Sequence, residues 1–204
     1  YVGVLNPNLR VFDIVMNTEY GTSYNSYLIK DEKTALIETC HRTFFDEYIG
    51  KIKEVTELEN IDYIILNHTE PDHTGVLKEL IKYAPKATVI CSKAASIYIK
   101  GITNLELNVT VVKDGDTITL GKNTLKFISA PFLHWPDSIF TYAEELNTVF
   151  TCDFLGAHYP EPRIFDSFIT YPEKYKTAMK DYYDAIFSPF KPYVLSGLDK
   201  VEKL

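Results

Sequence analysis

The chain has 204 residues, 46% of them hydrophobic, and a formal net charge of −7 from 21 basic and 28 acidic residues. That length suits one well-buried α/β or α+β domain over residues 1–204 and is short for two. An acidic balance with no Lys/Arg block argues against nucleic acid or an anionic membrane as partner and leaves a small molecule or a protein.

Along the chain, "RVFDIVMN", "YNSYLIK" and "KTALIE" are short runs rich in β-branched and aromatic residues, separated by turn signals, and predict an antiparallel meander. "TFFDEYIGKIKEV" follows with Phe45, Tyr48, Ile49 and Ile52 on one helical face. "IDYIILN" reads as a strand buried on both faces. A helix is expected at "GVLKELIKYA", a strand at "ATVICS" and a helix near "KAASIYIKG". Five further strands are expected at "VTVV", "DTITL", "NTLKFISAPF", "SIFTYAEEL" and "NTVFTCD", then a long loop around Pro160 and Pro162. "KPYVLSGLDKVEKL" reads as a final helix, with Pro192 in its first turn and Val194, Leu198 and Val201 as its apolar stripe. This order predicts two sheets packed face to face with helices outside.

Cys40, Cys91 and Cys152 are odd in number and form no CxxC pair, so they are expected as buried, reduced thiols in a cytosolic protein. No apolar run reaches the roughly 20 residues of a membrane-spanning helix. The opening "YVGVLNPNLR" lacks the apolar centre of a signal peptide, and because it begins without Met, the chain's ends are not expected to be those of the gene.

The chemistry concentrates in "LNHTEPDHTG", where His68, Glu70, Asp72 and His73 follow the "IDYIILN" strand. On a helix His68 and His73 would lie about 140° apart, and Pro71 stands between them, so the stretch is read as a loop leading through Thr74 and Gly75 into the next helix. His134 and Asp153 also follow predicted strands. Three strand ends at one sheet edge can bring these six side chains together, and a cation is the direct way to make three carboxylates tolerable there. A polar turn capping the helix at Thr74 is the alternative for the cluster, and ordinary caps the alternative for His134 and Asp153. His41 is read as a turn residue outside the site, and His158 and Tyr24 as neighbours of it.

The order "HxExDH", sixty residues, His134, eighteen residues, Asp153 resembles the flavodiiron proteins, A-type flavoproteins with a metallo-β-lactamase αββα sandwich. "YVGVLNPNLRVFD", "GTSYNSYLI", "FLHWPDSIFTY" and "TCDFLGAH" are similar to that family too, so the resemblance spans the chain. It implies an α+β fold of two mixed sheets flanked by helices. It further implies that His68, Glu70 and His134 hold one iron, that Asp72 and His73 serve a second, and that Asp153 bridges them. Reduction of O2 to water or of NO to N2O would follow, with electrons from FMN on a flavodoxin-like domain refilled by rubredoxin or another donor, in a head-to-tail homodimer. Tyr24 and Trp135 would shape the gas pocket. The family's pattern has one more ligand histidine on a strand after the last helix; the second iron's ligands and the FMN domain are therefore expected to be completed from outside these residues.

Glu70 carries the choice of metal. Hydrolytic zinc members of the fold resemble "HxHxDH", and a carboxylate in place of that imidazole makes a harder, more anionic site that favours iron cycling to the ferric state. A zinc hydrolase, and a non-catalytic iron module sensing O2 or NO, are the alternatives.

Overall fold

The structure is a computed structural model and describes residues 1–13 and 16–204. The N-terminal stretch supplies β1 (Val4–Asn6), β2 (Val11–Phe12), β3 (Met16–Asn17), β4 (Thr22–Tyr24), β5 (Tyr27–Lys30) and β6 (Thr34–Ile37). The middle holds α1 (Phe45–Lys53), β7 (Ile61–Leu66), the short turn α2 (Pro71–Thr74), α3 (Leu77–Tyr83), β8 (Thr88–Cys91), α4 (Lys93–Thr103) and β9 (Val109–Val111). The last part holds β10 (Thr117–Thr119), β11 (Thr124–Ser129), β12 (Ile139–Ala143), β13 (Thr148–Phe150), α5 (Pro172–Tyr182) and α6 (Lys191–Val201).

Two main sheets result. One has the order β5-β6-β7-β8-β9, with β5 antiparallel to β6 and the remaining neighbours parallel. The other is an antiparallel sheet in the order β10-β11-β12-β13. Strand alternation sorts the core into layers. Leu36, Ile64 and Val89 face α1, α3 and α4 through Tyr48, Ile52, Leu77, Leu80 and Ile99. Ala35, Ile37, Ile65 and Ile90 point the other way and meet Leu125, Phe127, Ile139 and Phe150 of the second sheet. Ile128 and Phe140 cover that sheet's far side, against Phe154, Tyr182, Phe187 and Val194. The layers are therefore helix, sheet, sheet, helix. Each fully buried Ile or Leu of these layers is worth about 1.5–3 kcal/mol relative to exposure.

Most expected elements form where the periodicity places them, including α1 with Tyr48, Ile49 and Ile52 buried, and α6 with Val194 buried. Three expectations are corrected. The first run does not extend into a meander: β2 and β3 pair with each other, β4 pairs with β1, and only β5 and β6 make the expected antiparallel neighbours. Asp13 takes a φ of 48°, which turns the chain back between β2 and β3; Ile14 and Val15 of that run lie outside the described residues. "PDHT" is one helical turn rather than loop, because Pro71 at its first position has no N–H to lose and a φ already suited to a helix. Of the cysteines, all free, Cys40 and Cys91 are buried but Cys152 is half-buried.

Candidate metal centre

β11 and β13 both run antiparallel to β12, so their C-terminal ends lie at one edge of the second sheet. His134 follows the first of these ends and Asp153 the second. β7 ends at the facing edge of the other sheet, where Asn67 holds the two together. Its carbonyl accepts from Ile139 N at 2.9 Å, its side-chain amide donates to Phe150 O at 3.0 Å, and its Oδ1 accepts from Thr141 Oγ1 at 2.6 Å. The strand ends predicted to share one sheet edge thus belong to two facing sheets, bolted at Asn67.

Past Asn67 the chain delivers His68 and Glu70, then Asp72 and His73 on α2. The Thr74 hydroxyl does not cap the next helix; it donates back to the carbonyls of Thr69 and Glu70 at 3.1 and 3.0 Å, which closes the turn. At Gly75 a Cβ would stand 2.5 Å from Arg42 N, so only glycine lets the turn seat against the segment after β6.

The six predicted side chains come together in two groups. His68, Glu70, His134 and Asp153 offer ligand atoms within 4.8 Å of one another, and so do Asp72, His73 and Asp153. In the first group Glu70 Oε2 lies 3.3 Å from His68 Nε2 and 3.2 Å from His134 Nε2. Asp153 Oδ2 lies 3.6 and 3.5 Å from the same nitrogens. Its other oxygen, Oδ1, accepts from His73 Nε2 at 2.9 Å, and Asp72 Oδ2 lies 3.4 Å from that nitrogen. One carboxylate therefore presents one oxygen to each group.

Without a cation the cluster compensates itself with protons. Burial pulls His68 down, but hydrogen bonds to Asp137 and Glu70 and the charge of Asp153 outweigh it and lift the imidazole to about 9. His134 reaches about 9 in the same way, burial being overcome by Asp153 and Glu70. Burial would raise Asp153 and Glu70, yet the imidazoles hold both below the usual carboxylate range. Asp72 is the exception: burial pushes it up to about 6 despite the neighbouring His73. Its Oδ1 is buried with no hydrogen-bond partner, an arrangement that costs about 1–3 kcal/mol. A cation among Asp72, His73 and Asp153 would satisfy that oxygen and replace the protons. The donor set, three imidazole nitrogens and three carboxylates, fits two hard or borderline divalent ions.

The residues read as neighbours are placed differently from one another. Trp135 stands edge-on to His68, with ring centroids 5.1 Å apart, and walls the first group. Tyr24 and His41, stacked at 5.8 Å, line a cleft of about 400 Å³ that ends on Glu70, Pro71 and Asp72. His41 is turned onto Thr43, whose hydroxyl is 2.7 Å from its Nδ1, and belongs to neither ligand group. His158 bonds Thr22 Oγ1 at 2.8 Å and packs on Phe12 and Tyr182; burial pushes it down to about 4. It hydrogen-bonds none of the six.

Three residues escaped the sequence reading. Asp137, fully buried, lies 3.3 Å from His68 Nδ1 and accepts from Thr69 Oγ1 at 2.7 Å. Glu38, also buried, lies 3.0 Å from His73 Nδ1. Asp13 lines the cleft beside Glu70; burial and a hydrogen bond to Glu70 push it up to about 6. Glu38 ends the buried strand "TALIE", so the strand-end logic that found Asp153 would also have found it.

Comparison with known proteins agrees with this geometry. The family model described as ODP family beta lactamase matches residues 22–197. Flavo-diiron protein FprA2 of Clostridium acetobutylicum is 60% identical over 205 residues, covering 100% of this chain and 51% of that protein. A nitric oxide reductase of Moorella thermoacetica is 37% identical, with 100% of this chain and 51% of that protein covered. The flavodiiron protein of Giardia intestinalis superposes with a TM-score of 0.95 at 32% identity, over 100% of this chain and 49% of that one. The rubredoxin oxygen:oxidoreductase of Desulfovibrio gigas follows at 0.94 and 30%, over 98% and 50%. The chain spans about half the length of the relatives it matches. Sequence, fold and site together place it: the chain belongs to the ODP family of β-lactamase-like domains, the domain it shares with the flavodiiron proteins.

Proposed function

We propose that this domain is the diiron part of an oxidoreductase that reduces O2 to water, NO to N2O, or both, with electrons arriving through FMN. The observation that carries the reading is the split of Asp153, one oxygen toward His68, Glu70 and His134 and the other toward Asp72 and His73. His68, Glu70, His134 and Asp153 would hold the first iron, and Asp72, His73 and Asp153 the second. Iron at both positions would supply two electrons, half of the four that reduce one O2 to water and both of the two that couple two NO to N2O; FMN would supply the other two for O2 and re-reduce the site after NO. The three carboxylates offset the charge that develops on oxidation, Trp135 excludes water from the His68 side, and the Tyr24–His41 cleft gives a small substrate access.

The names of the relatives support both substrates, and that of the Desulfovibrio gigas protein supports rubredoxin as donor. The flavodoxin-like FMN domain and a head-to-tail homodimer complete the proposal. The cysteines are free, which supports a cytosolic setting. Neither the hydrolase nor the sensor reading gains support from the relatives named above.

Anaerobic reconstitution tests the assignment. The expected outcome is two irons per polypeptide once the part that completes the second site is added, and consumption of O2 or NO when reduced flavoprotein is present. Zinc retained after iron is offered, with hydrolysis of thioester or lactam probes, would replace it with a hydrolase. Iron and gas binding without turnover would leave a sensor.

A further inference from the structure

We propose that Glu38 is the positioning residue of the second metal position: it fixes the tautomer that leaves His73 Nε2 free to bind a cation, and through Asn67 it fixes where β7 delivers His68. The proposal rests on the dinuclear reading above.

Glu38 is 2% exposed and stands just after β6 at a φ of 62°. Its backbone carbonyl accepts from Ser26 Oγ at 2.9 Å and from Tyr48 Oη at 3.2 Å, so the residue is held before its side chain is considered. Both oxygens of the carboxylate are then engaged. Oε2 lies 3.0 Å from His73 Nδ1, and Oε1 accepts the Asn67 backbone N–H at 2.6 Å. A carboxylate only accepts, so the proton shared with His73 sits on Nδ1. Nε2 faces Asp153 and Asp72 and is hydrogen-bonded to Asp153 in the metal-free cluster; a cation there takes the place of that proton, while Glu38 keeps the one on Nδ1, so Nε2 is the ligand atom.

The next residue reinforces the grip. Thr39 N donates to the His73 carbonyl at 3.0 Å, and the Thr39 hydroxyl donates to the same oxygen. Two successive residues therefore hold His73 at its ring and at its backbone. On the other side of the carboxylate, Asn67 is bonded to Thr141, Ile139 and Phe150 of the facing sheet. His68 follows it directly. One buried carboxylate thus references the two histidines, one for each metal position, to the same rigid frame. Of the ligand histidines Asp137 backs His68 only, and among the described residues no carboxylate lies within hydrogen-bond distance of His134 Nδ1.

A glutamine at 38 has the same shape but the wrong chemistry. Its carbonyl can keep Asn67 N–H satisfied only if its NH2 turns to His73 and donates, which moves the imidazole proton to Nε2 and blocks ligation. Turned the other way, it opposes its NH2 to the Asn67 N–H.

The test uses zinc as a diamagnetic probe in the metal-loaded protein. Chelator competition reads the two binding steps, and nitrogen NMR of the imidazoles reads which ring atom of His73 is coordinated. Glu38→Gln is expected to weaken one step by about 10- to 100-fold, to lose Nε2 coordination at His73, and to leave the His134 signal in place. Asp137→Asn should weaken the other step instead. Glu38→Asp keeps an acceptor-only group and should restore the Nδ1–H tautomer with part of the affinity. If Glu38→Gln keeps both steps and Nε2 coordination, or if Gln and Asp lose zinc equally, the positioning role is wrong. A full-length parent protein that takes up no second zinc would sink the dinuclear reading itself, and this proposal with it.

Discussion

At the first ligand group two imidazoles and two carboxylates meet from β7, β11 and β13, and Glu70 Oε2 lies within 3.3 Å of both ring nitrogens. At the second, one imidazole and two carboxylates meet, and Asp72 keeps a buried oxygen with no partner. The two share Asp153, yet the first is satisfied by protons alone and the second is not. A site whose polar atoms are all paired is preorganised and stable empty. One with an orphan oxygen carries a cost that a bound cation removes. The first group is thus the better prepared position, and the second depends more on its ion.

Asp153→Ala breaks the comparison most severely, because it takes an oxygen from both groups. Metal content should fall from two ions to one or fewer per polypeptide, and two ions with parent affinity would disprove the bridge. Single-group changes come next. His134→Ala should lose the first ion preferentially and Asp72→Ala the second, each by more than the roughly 10- to 100-fold typical of a supporting residue. Equal losses of both ions in both variants would mean that the groups bind as one unit.

Protonation provides a smaller effect. In the metal-free protein His68 and His134 carry pKa values of about 9 against an ordinary 6.5. Their charges therefore stabilise the fold fully below pH 6.5, and that contribution is lost as pH rises through about 9. The melting temperature of the metal-free protein should fall across this window, while that of the loaded protein, whose imidazoles are already deprotonated, should change little. A flat profile for the metal-free form would refute the proton-compensated cluster. Least of all, His41→Ala should leave metal content unchanged, since His41 lines the cleft without joining either group.

The layers were legible because their signals are periodic and local. Tyr48, Ile49 and Ile52 repeat at helical spacing, and the "IDYIILN" run is split by strand alternation between two cores, with Ile64 in one and Ile65 in the other. The six candidate ligands were legible because four share one short stretch and the other two repeat its placement after a strand. What stayed hidden depends on distance in space. Asp137 follows no strand and its partner lies 69 residues away; Glu38 does follow a strand, but it stands alone, 35 residues before His73. The α2 turn is too short for periodicity to register, and the orientation of Asp153 toward two groups is a property of β13 and β7 belonging to facing sheets.

Asn67 has a consequence for exchange with solvent. Its backbone N–H ends on a buried carboxylate, and its side chain spans both sheets. No fraying loop can expose that hydrogen; the sandwich has to separate first, so its exchange with deuterium should proceed only through global unfolding. The protection of this one amide then measures the free energy of the whole fold. Its increase when metal is added measures, by mass action, the work the ions contribute to holding the two sheets together.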